Sequence, residues 1–265
     1  MPAGQLPTRQ ELLVRWFVWY CQKFLLPKSF TAFRLAKDGP PPSPPPDVPL
    51  VVVCNHPSWW DPILCALLSP RWPRRADYCP IDSQALRAYP MLRRLGFFPV
   101  EPGSPRSARE FLETGAAILN SPDTALWITA QGQFTDPRRR PVELRAGLGH
   151  LLRRCGRCVV VPLAFEYPFW NEKLPEALAL FGNPIEIAAG KSRTADEWTA
   201  AIAIGLSEAM DRLSALAQAR DPEAFETVVA GRTGVGGVYD WIRQILATCT
   251  GRRFHPGHDE GRRNA

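Results

Sequence analysis

The chain has 265 residues, of which 45% are hydrophobic and 22% are charged. This length suits one large domain with small additions, and the composition excludes both a disordered chain and a polytopic membrane protein. The formal net charge is +6, and the arginines occur in clusters, so the surface favours anionic partners such as lipid head groups or nucleic acid. The seven cysteines lack the spacing of a disulfide scaffold, and the N-terminus lacks a signal-peptide pattern, which together indicate a cytoplasmic protein.

The first predicted element is an amphipathic helix within residues 1–37. Its aromatic-rich run, residues 12–26, is interrupted by Arg15, Gln22 and Lys23 before it reaches the length that spans a bilayer. Trp and Tyr favour the membrane interface and basic side chains favour lipid phosphates, so we expect a helix that lies in the plane of one leaflet. The alternative is a helix packed on the protein's own core. Residues 38–49 are rich in proline and predict a stiff, solvated linker.

Residues 50–220 are predicted to form the main domain, because short apolar strands alternate there with helices of amphipathic pattern. The strands are predicted at residues 50–54, 97–100, 125–129 and 159–165. The helices are predicted at residues 62–68, 84–95, 107–119 and 145–155, and from a capping box at Thr194 and Glu197 to Ala219. This alternation predicts an α/β fold with a mixed central sheet flanked by helices. Residues 221–265 predict a C-terminal helical extension, with a helix at 239–246, and a basic tail.

A candidate catalytic pair follows the first predicted strand, where sites gather in α/β folds. His56 precedes a proline, and Asp61 stands where a helix N-cap would be, so both side chains can meet on one turn. A carboxylate beside an imidazole fixes its tautomer and stabilises the imidazolium, so the pair can activate a substrate hydroxyl. On spacing alone, a helix cap and a structural histidine explain the two residues equally well.

The pattern Asn55-His56-x4-Asp61 after an apolar strand resembles the signature of the glycerolipid acyltransferases, a family typified by the bacterial 1-acylglycerol-3-phosphate acyltransferase. The resemblance implies that His56 is the general base for a lipid hydroxyl that attacks an acyl thioester, and that Asp61 orients it. It also implies acyl-coenzyme A or acyl carrier protein as co-substrate, no metal or cofactor, and a divergent bacterial member that acts in phospholipid biosynthesis.

Three later segments resemble further blocks of the family. Residues 95–101 resemble the second block, but Pro102 replaces its arginine, so Arg106 or Arg109 is a substitute candidate. Residues 127–133 resemble the Phe-Pro-Glu-Gly-Thr-Arg block that holds the acceptor's phosphate, with Gln131 in place of the acid. The resemblance implies five substrate-binding residues, of which Arg140 is the preferred phosphate contact: Arg106, Gln131, Gly132, Arg138 and Arg140. The strand at 159–165 resembles the acyl-binding block and implies that Val161 and Pro162 contact the acyl chain.

Two alternative functions remain open, namely a lipid-binding relative without catalysis and an acyltransferase for a non-phospholipid lipid alcohol. A hydrolase is disfavoured because the chain contains no G-x-S-x-G. Nucleic acid is not an expected partner, because the basic clusters are scattered and no recognition motif accompanies them. We expect a peripheral protein on the inner face of the cell membrane, with membrane lipids as partners and an oligomeric state that the sequence leaves open.

Overall fold

A computed structural model of the chain describes residues 5–39, 44–45, 47–188 and 192–232. The described strands are β1 (Ala32–Ala36), β2 (Leu50–Cys54), β3 (Ala76–Asp82), β4 (Phe97–Val100), β5 (Thr124–Thr129), β6 (Cys158–Glu166), β7 (Glu176–Phe181), β8 (Ile185–Ile187) and β9 (Phe225–Ala230). The described helices are α1 (Glu11–Tyr20), α2 (Leu26–Ser29), α3 (Asp61–Leu68), α4 (Ser83–Ala88), α5 (Pro105–Leu119), α6 (Gly147–Leu152) and α7 (Ala195–Ala219).

All described strands join one sheet, in the order β4-β3-β5-β2-β6-β7-β1-β9, with β8 also paired to β6. The central strand β2 runs parallel to β5 on one side and to β6 on the other. Antiparallel pairing of β6 with β7 and of β1 with β9 makes the sheet mixed. The predicted α/β fold with a mixed central sheet flanked by helices is therefore confirmed.

The two faces of the sheet bury separate cores, because successive side chains of a strand point to opposite faces. In β2, Val51 and Val53 lie in the core that α5, α6 and α7 cover. Leu50 and Val52 lie in the opposite core, which α3 and the N-terminal helix cover. A strand buried on both faces is apolar throughout, which is why its run of five apolar residues was recognisable in the sequence.

The four predicted strands are confirmed to within one residue at each end, as β2, β4, β5 and β6. The other five described strands were missed. In β3 the internal Pro80 opposes a strand prediction, and the strand tolerates it because the pairing with β5 ends at Tyr78, which leaves Pro80 paired on one side only, with β4. Strands β1 and β9 carry the sheet beyond residues 50–220, into the segments predicted as the N-terminal helix and the C-terminal extension.

Helix positions are predicted better than helix lengths. The capping box of α7 is confirmed, since Thr194 Oγ1 accepts the Glu197 N–H at 3.2 Å and Glu197 Oε2 accepts the Thr194 N–H at 2.7 Å. The single helix predicted at 84–95 is wrong: α4 ends at Ala88, because Pro90 disfavours a helical residue before it. Of the helix predicted at 145–155, the structure forms only the shorter α6. The helix predicted at 239–246 lies outside the described residues.

The proline-rich linker is not simply solvated, because its described part is bonded to the sheet. The buried Arg75 guanidinium donates to the carbonyls of Pro44, Pro45 and Val48 at 3.2, 2.7 and 2.7 Å. It also donates to the carbonyl of Thr124, the first residue of β5, at 3.1 Å. Guanidinium N–H groups thus satisfy carbonyls in a segment whose prolines have no N–H to donate, and the Pro45 carbonyl also accepts the Val48 N–H at 3.0 Å. The linker therefore docks along the amino ends of the central strands.

The N-terminal helix continues from α1 through one wider turn, Cys21–Leu25, into α2. Its inner side buries Cys21 and Leu26 in the core that also contains α3. Its outer side exposes large apolar side chains: Leu12, Trp16, Trp19, Tyr20 and Phe24. The helix therefore packs on the core and also presents an aromatic surface to solvent. In the part of the chain that the structure describes, no helix combines the length and apolarity required to cross a membrane.

Candidate active site

Asn55 fixes the start of the candidate site by joining the ends of two central strands. It is fully buried directly after β2, and its side-chain amide donates to the Phe165 carbonyl at 2.9 Å. Its Oδ1 accepts the Phe165 N–H at 2.7 Å. The side chain therefore continues the β2–β6 pairing where the backbone of β2 turns away. This arrangement holds the next residue, His56, at the carboxyl edge of the sheet.

His56 and Asp61 meet on one turn, as the sequence predicts. His56 Nδ1 lies 2.6 Å from Asp61 Oδ2, and the same oxygen accepts the Ser58 N–H at 3.1 Å. Asp61 is the first residue of α3 and not its N-cap, so its carboxylate closes the preceding turn and does not bond the helix amides. With Asp61 ionised, Nδ1 carries the proton and Nε2 presents a lone pair to a substrate.

The Asp61 carboxylate is fully buried, and burial raises its pKa, although bonds to His56, Tyr167 and Ser58 oppose the shift. The Tyr167 hydroxyl, directly after β6, donates to Asp61 Oδ1 at 2.6 Å. Burial and the neighbouring carboxylate hold the pKa of Tyr167 well above its usual range, so the phenol stays a donor. Both carboxylate oxygens are therefore bonded, which is the condition for burying this charge.

The loop after β5 encloses the backbone of His56. Gln131 Oε1 accepts the His56 N–H at 2.7 Å, and the Thr135 N–H donates to the His56 carbonyl at 2.8 Å. Between them, the Phe134 ring lies over the imidazole, with the two ring centroids 4.5 Å apart. When Gln131 and Gly132 are aligned with the Glu and Gly of the Phe-Pro-Glu-Gly-Thr-Arg block, the arginine position falls on Phe134.

Gly132 has a positive φ of 67°, which favours glycine, and a Cβ there would lie 3.1 Å from the Arg145 side chain. The exposed Arg145 side chain therefore crosses the loop beside Gln131. Within the described residues, Arg145 is the only cation between 131 and 147 that has no carboxylate partner. The sequence singled out the arginine run 138–140 and did not single out Arg145 as a contact.

The predicted arginines are each held by a carboxylate. Arg138 Nη2 lies 2.6 Å from Asp136 Oδ2, and this pairing holds the pKa of Asp136 below its usual range. Arg140 pairs with Asp211 of α7, with Nε 3.1 Å from Oδ1. Arg106, on the first turn of α5, pairs with Glu110 at 2.9 Å, and its side chain is 89% exposed. The strand before α5, β4, is the third strand from β2, so Arg106 is not joined to the catalytic turn by any described contact.

Val161 and Pro162, the predicted acyl-chain contacts, are buried within β6. Val161 lies in one core, while Pro162 packs towards α7, close to Gly182 and Gly205. An apolar cavity lies elsewhere, between α1, α3 and the strands β3 to β5, and its lining includes Phe17, Pro62 and Cys65. Its lining contains neither His56 nor Asp61, although Pro62 directly follows Asp61 in the chain.

Two side chains of the site were not predicted from the sequence. Tyr167 lies 106 residues after Asp61, and its only signal was its place just beyond a strand that ends beside β2. Phe134 lies one residue beyond the segment 127–133 and was not singled out from the sequence. In both cases the contact depends on strands β5 and β6 lying on either side of β2, which local sequence does not specify.

Residues 38–166 match the family described as Acyltransferase, which contains the 1-acylglycerol-3-phosphate acyltransferase type. The matched range begins in the proline-rich linker and ends with β6, so it includes His56, Asp61 and the loop after β5. No curated protein matches the chain. This match shows that the domain at residues 38–166 belongs to the acyltransferase family, and it supports a general acyltransferase function.

Proposed function

We propose that the protein transfers a fatty acyl group from acyl-coenzyme A or acyl carrier protein to the hydroxyl of a lysophospholipid or related glycerolipid, with His56 as general base and Asp61 as its orienting partner. The observation that carries this proposal is the 2.6 Å contact between His56 Nδ1 and a fully buried carboxylate. That contact leaves Nε2 free to accept a proton, while the side chain of His56 retains 16% exposure towards a substrate.

The proposed reaction needs only the groups named above. Nε2 of His56 takes the proton of the acceptor hydroxyl as its oxygen attacks the thioester carbonyl. The tetrahedral intermediate then collapses, the ester C–O bond remains and the C–S bond breaks. The imidazolium, stabilised by Asp61, returns the proton to the leaving thiolate, so that the products are an ester and a free thiol.

We also propose that the protein works as a peripheral protein on the cytoplasmic face of the cell membrane. The exposed aromatic side of α1 supports this, because Trp16, Tyr20 and Phe24 form a continuous stack with centroids 5.6 and 5.8 Å apart. Rings of this kind favour the lipid interface, and Lys23 and Lys28 nearby suit anionic head groups. Trp59, in the catalytic turn, is also 56% exposed, so the site itself has an apolar rim.

Acyl transfer by the purified protein tests the reaction. Labelled acyl-coenzyme A and acyl carrier protein are offered with a panel of lysophospholipids and other lipid alcohols, and the product ester is quantified. We expect His56→Ala to lower kcat/KM by about 10²- to 10⁴-fold, because general-base assistance contributes that much. Asp61→Asn should lose rate too, since the neutral amide cannot stabilise the imidazolium.

His150→Ala is the matched control, because His150 is an exposed histidine on α6. Its rate should equal that of the wild type, and thermal unfolding should confirm that all variants are folded. Transfer that survives in His56→Ala would contradict the proposed base. A folded, lipid-bound wild type that acylates no acceptor would instead favour the lipid-binding relative without catalysis.

A further inference from the structure

The surface that meets an acceptor beside His56 is aromatic. The Phe134 ring contacts the imidazole, with the ring centroids 4.5 Å apart and the ring planes inclined by 46°, and 62% of Phe134 remains exposed. Trp59, three residues after His56, is 56% exposed. An acceptor whose hydroxyl reaches the imidazole therefore meets the Phe134 ring beside the base. A doubly charged phosphate in that position would lose hydration without gaining a counter-charge from these rings.

The arginine run 138–140 does not supply the missing counter-charge, because each of its three members lies beside a carboxylate, and only Arg145 among the described cations of this loop has no such partner. Arg138 pairs with Asp136, Arg139 lies 4.0 Å from Glu143, and Arg140 pairs with Asp211. Glu166, at the end of β6, adds a fourth carboxylate that interacts with Arg138 and Arg140. With Arg145 included, four guanidinium groups stand against four carboxylates, so the loop that follows Phe134 and its neighbours present no net positive charge to a phosphate.

We propose that the acceptor is a lipid alcohol without a phosphomonoester beside its reacting hydroxyl, and that Phe134 selects it by packing against the acceptor's uncharged backbone. This inference rests on the acyl transfer proposed above and narrows its acceptor. Phe134 acts as a specificity-determining residue, since it contacts the base and sets the polarity of the space next to it. Arg145, whose side chain lies beside Gly132, is the one described cation of this loop that could instead bind the phosphate of a phosphorylated acceptor.

The test compares two acceptors that differ only in the phosphate, 1-monoacylglycerol and 1-acylglycerol 3-phosphate with the same acyl chain, in neutral detergent micelles. We expect the wild type to favour monoacylglycerol in kcat/KM by about 10-fold or more. Phe134→Arg should move this ratio towards the phosphate by about 10-fold or more, because a guanidinium forms charge-assisted bonds to phosphate oxygens. The ratio is the readout, since any change beside His56 also alters the absolute rate.

Ile204→Arg is the matched control, because Ile204 has the same exposed fraction of 62% and lies on α7. It adds the same charge and should leave the ratio unchanged. A wild type that prefers the phosphate would overturn the inference while the proposed acyl transfer stands, and loss of that preference in Arg145→Gln would identify the cation responsible. If neither acceptor nor any lipid alcohol of the wider panel is acylated, the proposed function fails and the inference fails with it.

Discussion

At the scale of single residues, the candidate site consists of hydrogen bonds that fix the position and orientation of the His56 imidazole. The backbone of His56 is fixed by Gln131 and Thr135, and its ring is fixed by Asp61. Gln131 therefore has a positioning role here, where the family block has an acidic residue. An amide suits this role because its oxygen accepts the His56 N–H without adding a second negative charge next to Asp61.

Tyr167→Phe tests whether the second oxygen of Asp61 must be bonded. The change removes the hydroxyl that donates to Asp61 Oδ1 but keeps the packed ring. Loss of this donor should raise the pKa of Asp61 further and lower kcat by roughly 10-fold, because a buried acceptor is left unsatisfied. The acid limb of the pH profile of kcat/KM should then move to higher pH. Tyr78→Phe, in the opposite core, should leave the profile where it is.

Asp77 provides a prediction about stability and pH, apart from catalysis. Its carboxylate accepts the Trp127 Nε1–H at 2.9 Å beside the apolar cavity. Burial raises the pKa of Asp77 to about 6. Trp127, Arg9 and Ser69 oppose this shift, and Glu11 adds to it. A folded-state pKa above the unfolded value means that the native protein binds the proton more tightly. Its stability should therefore fall as the pH rises from about 4 to about 6.

Asp77→Asn should remove this pH dependence, because an amide keeps the acceptor for Trp127 and does not ionise. Relative to the wild type, the free energy of unfolding of the variant should rise by up to about 3 kcal/mol between pH 4 and pH 6.5. Urea unfolding at several pH values measures the difference. A difference that stays constant over this range would contradict the raised pKa of Asp77.

At the scale of elements, α1 has two faces with different tasks. On the inner face, the partly buried Phe17 and Val18 pack against the core, and on the outer face Trp16 and Trp19 are each about half exposed. Exposed apolar surface of this extent costs solvation free energy unless another phase covers it. The lipid interface is the phase that suits both the rings and the flanking basic residues.

The double change Trp16→Ser and Trp19→Ser should weaken partitioning onto anionic phospholipid vesicles by about 10-fold or more, because two half-exposed rings no longer enter the interface. Vesicle sedimentation measures the partition coefficient. Tyr89→Ser, which removes another exposed ring at the end of α4, is the control and should leave binding unchanged. Equal binding by the double variant and the wild type would assign the helix to core packing alone.

At the scale of the whole molecule, the site depends on three adjacent parallel strands. Strands β5, β2 and β6 end at one edge of the sheet. The residues Gln131, His56 and Tyr167 follow these three strands, respectively, and therefore lie side by side at that edge. The same edge receives Arg140, which α7 holds through Asp211. The long helix thus holds the loop that follows β5 as well as covering the core, which the sequence alone did not indicate.

The sequence by itself determined what depends on neighbours in the chain. The His56–Asp61 turn, the four apolar strands and the α7 capping box all follow from proline, cap and burial patterns within a few residues. Only the tertiary structure decided which side chains complete the site, because Tyr167 reaches Asp61 across 106 residues and Arg140 reaches Asp211 across 71. The physical reason is that local patterns fix backbone conformation and the buried face, whereas strand order fixes which loops meet.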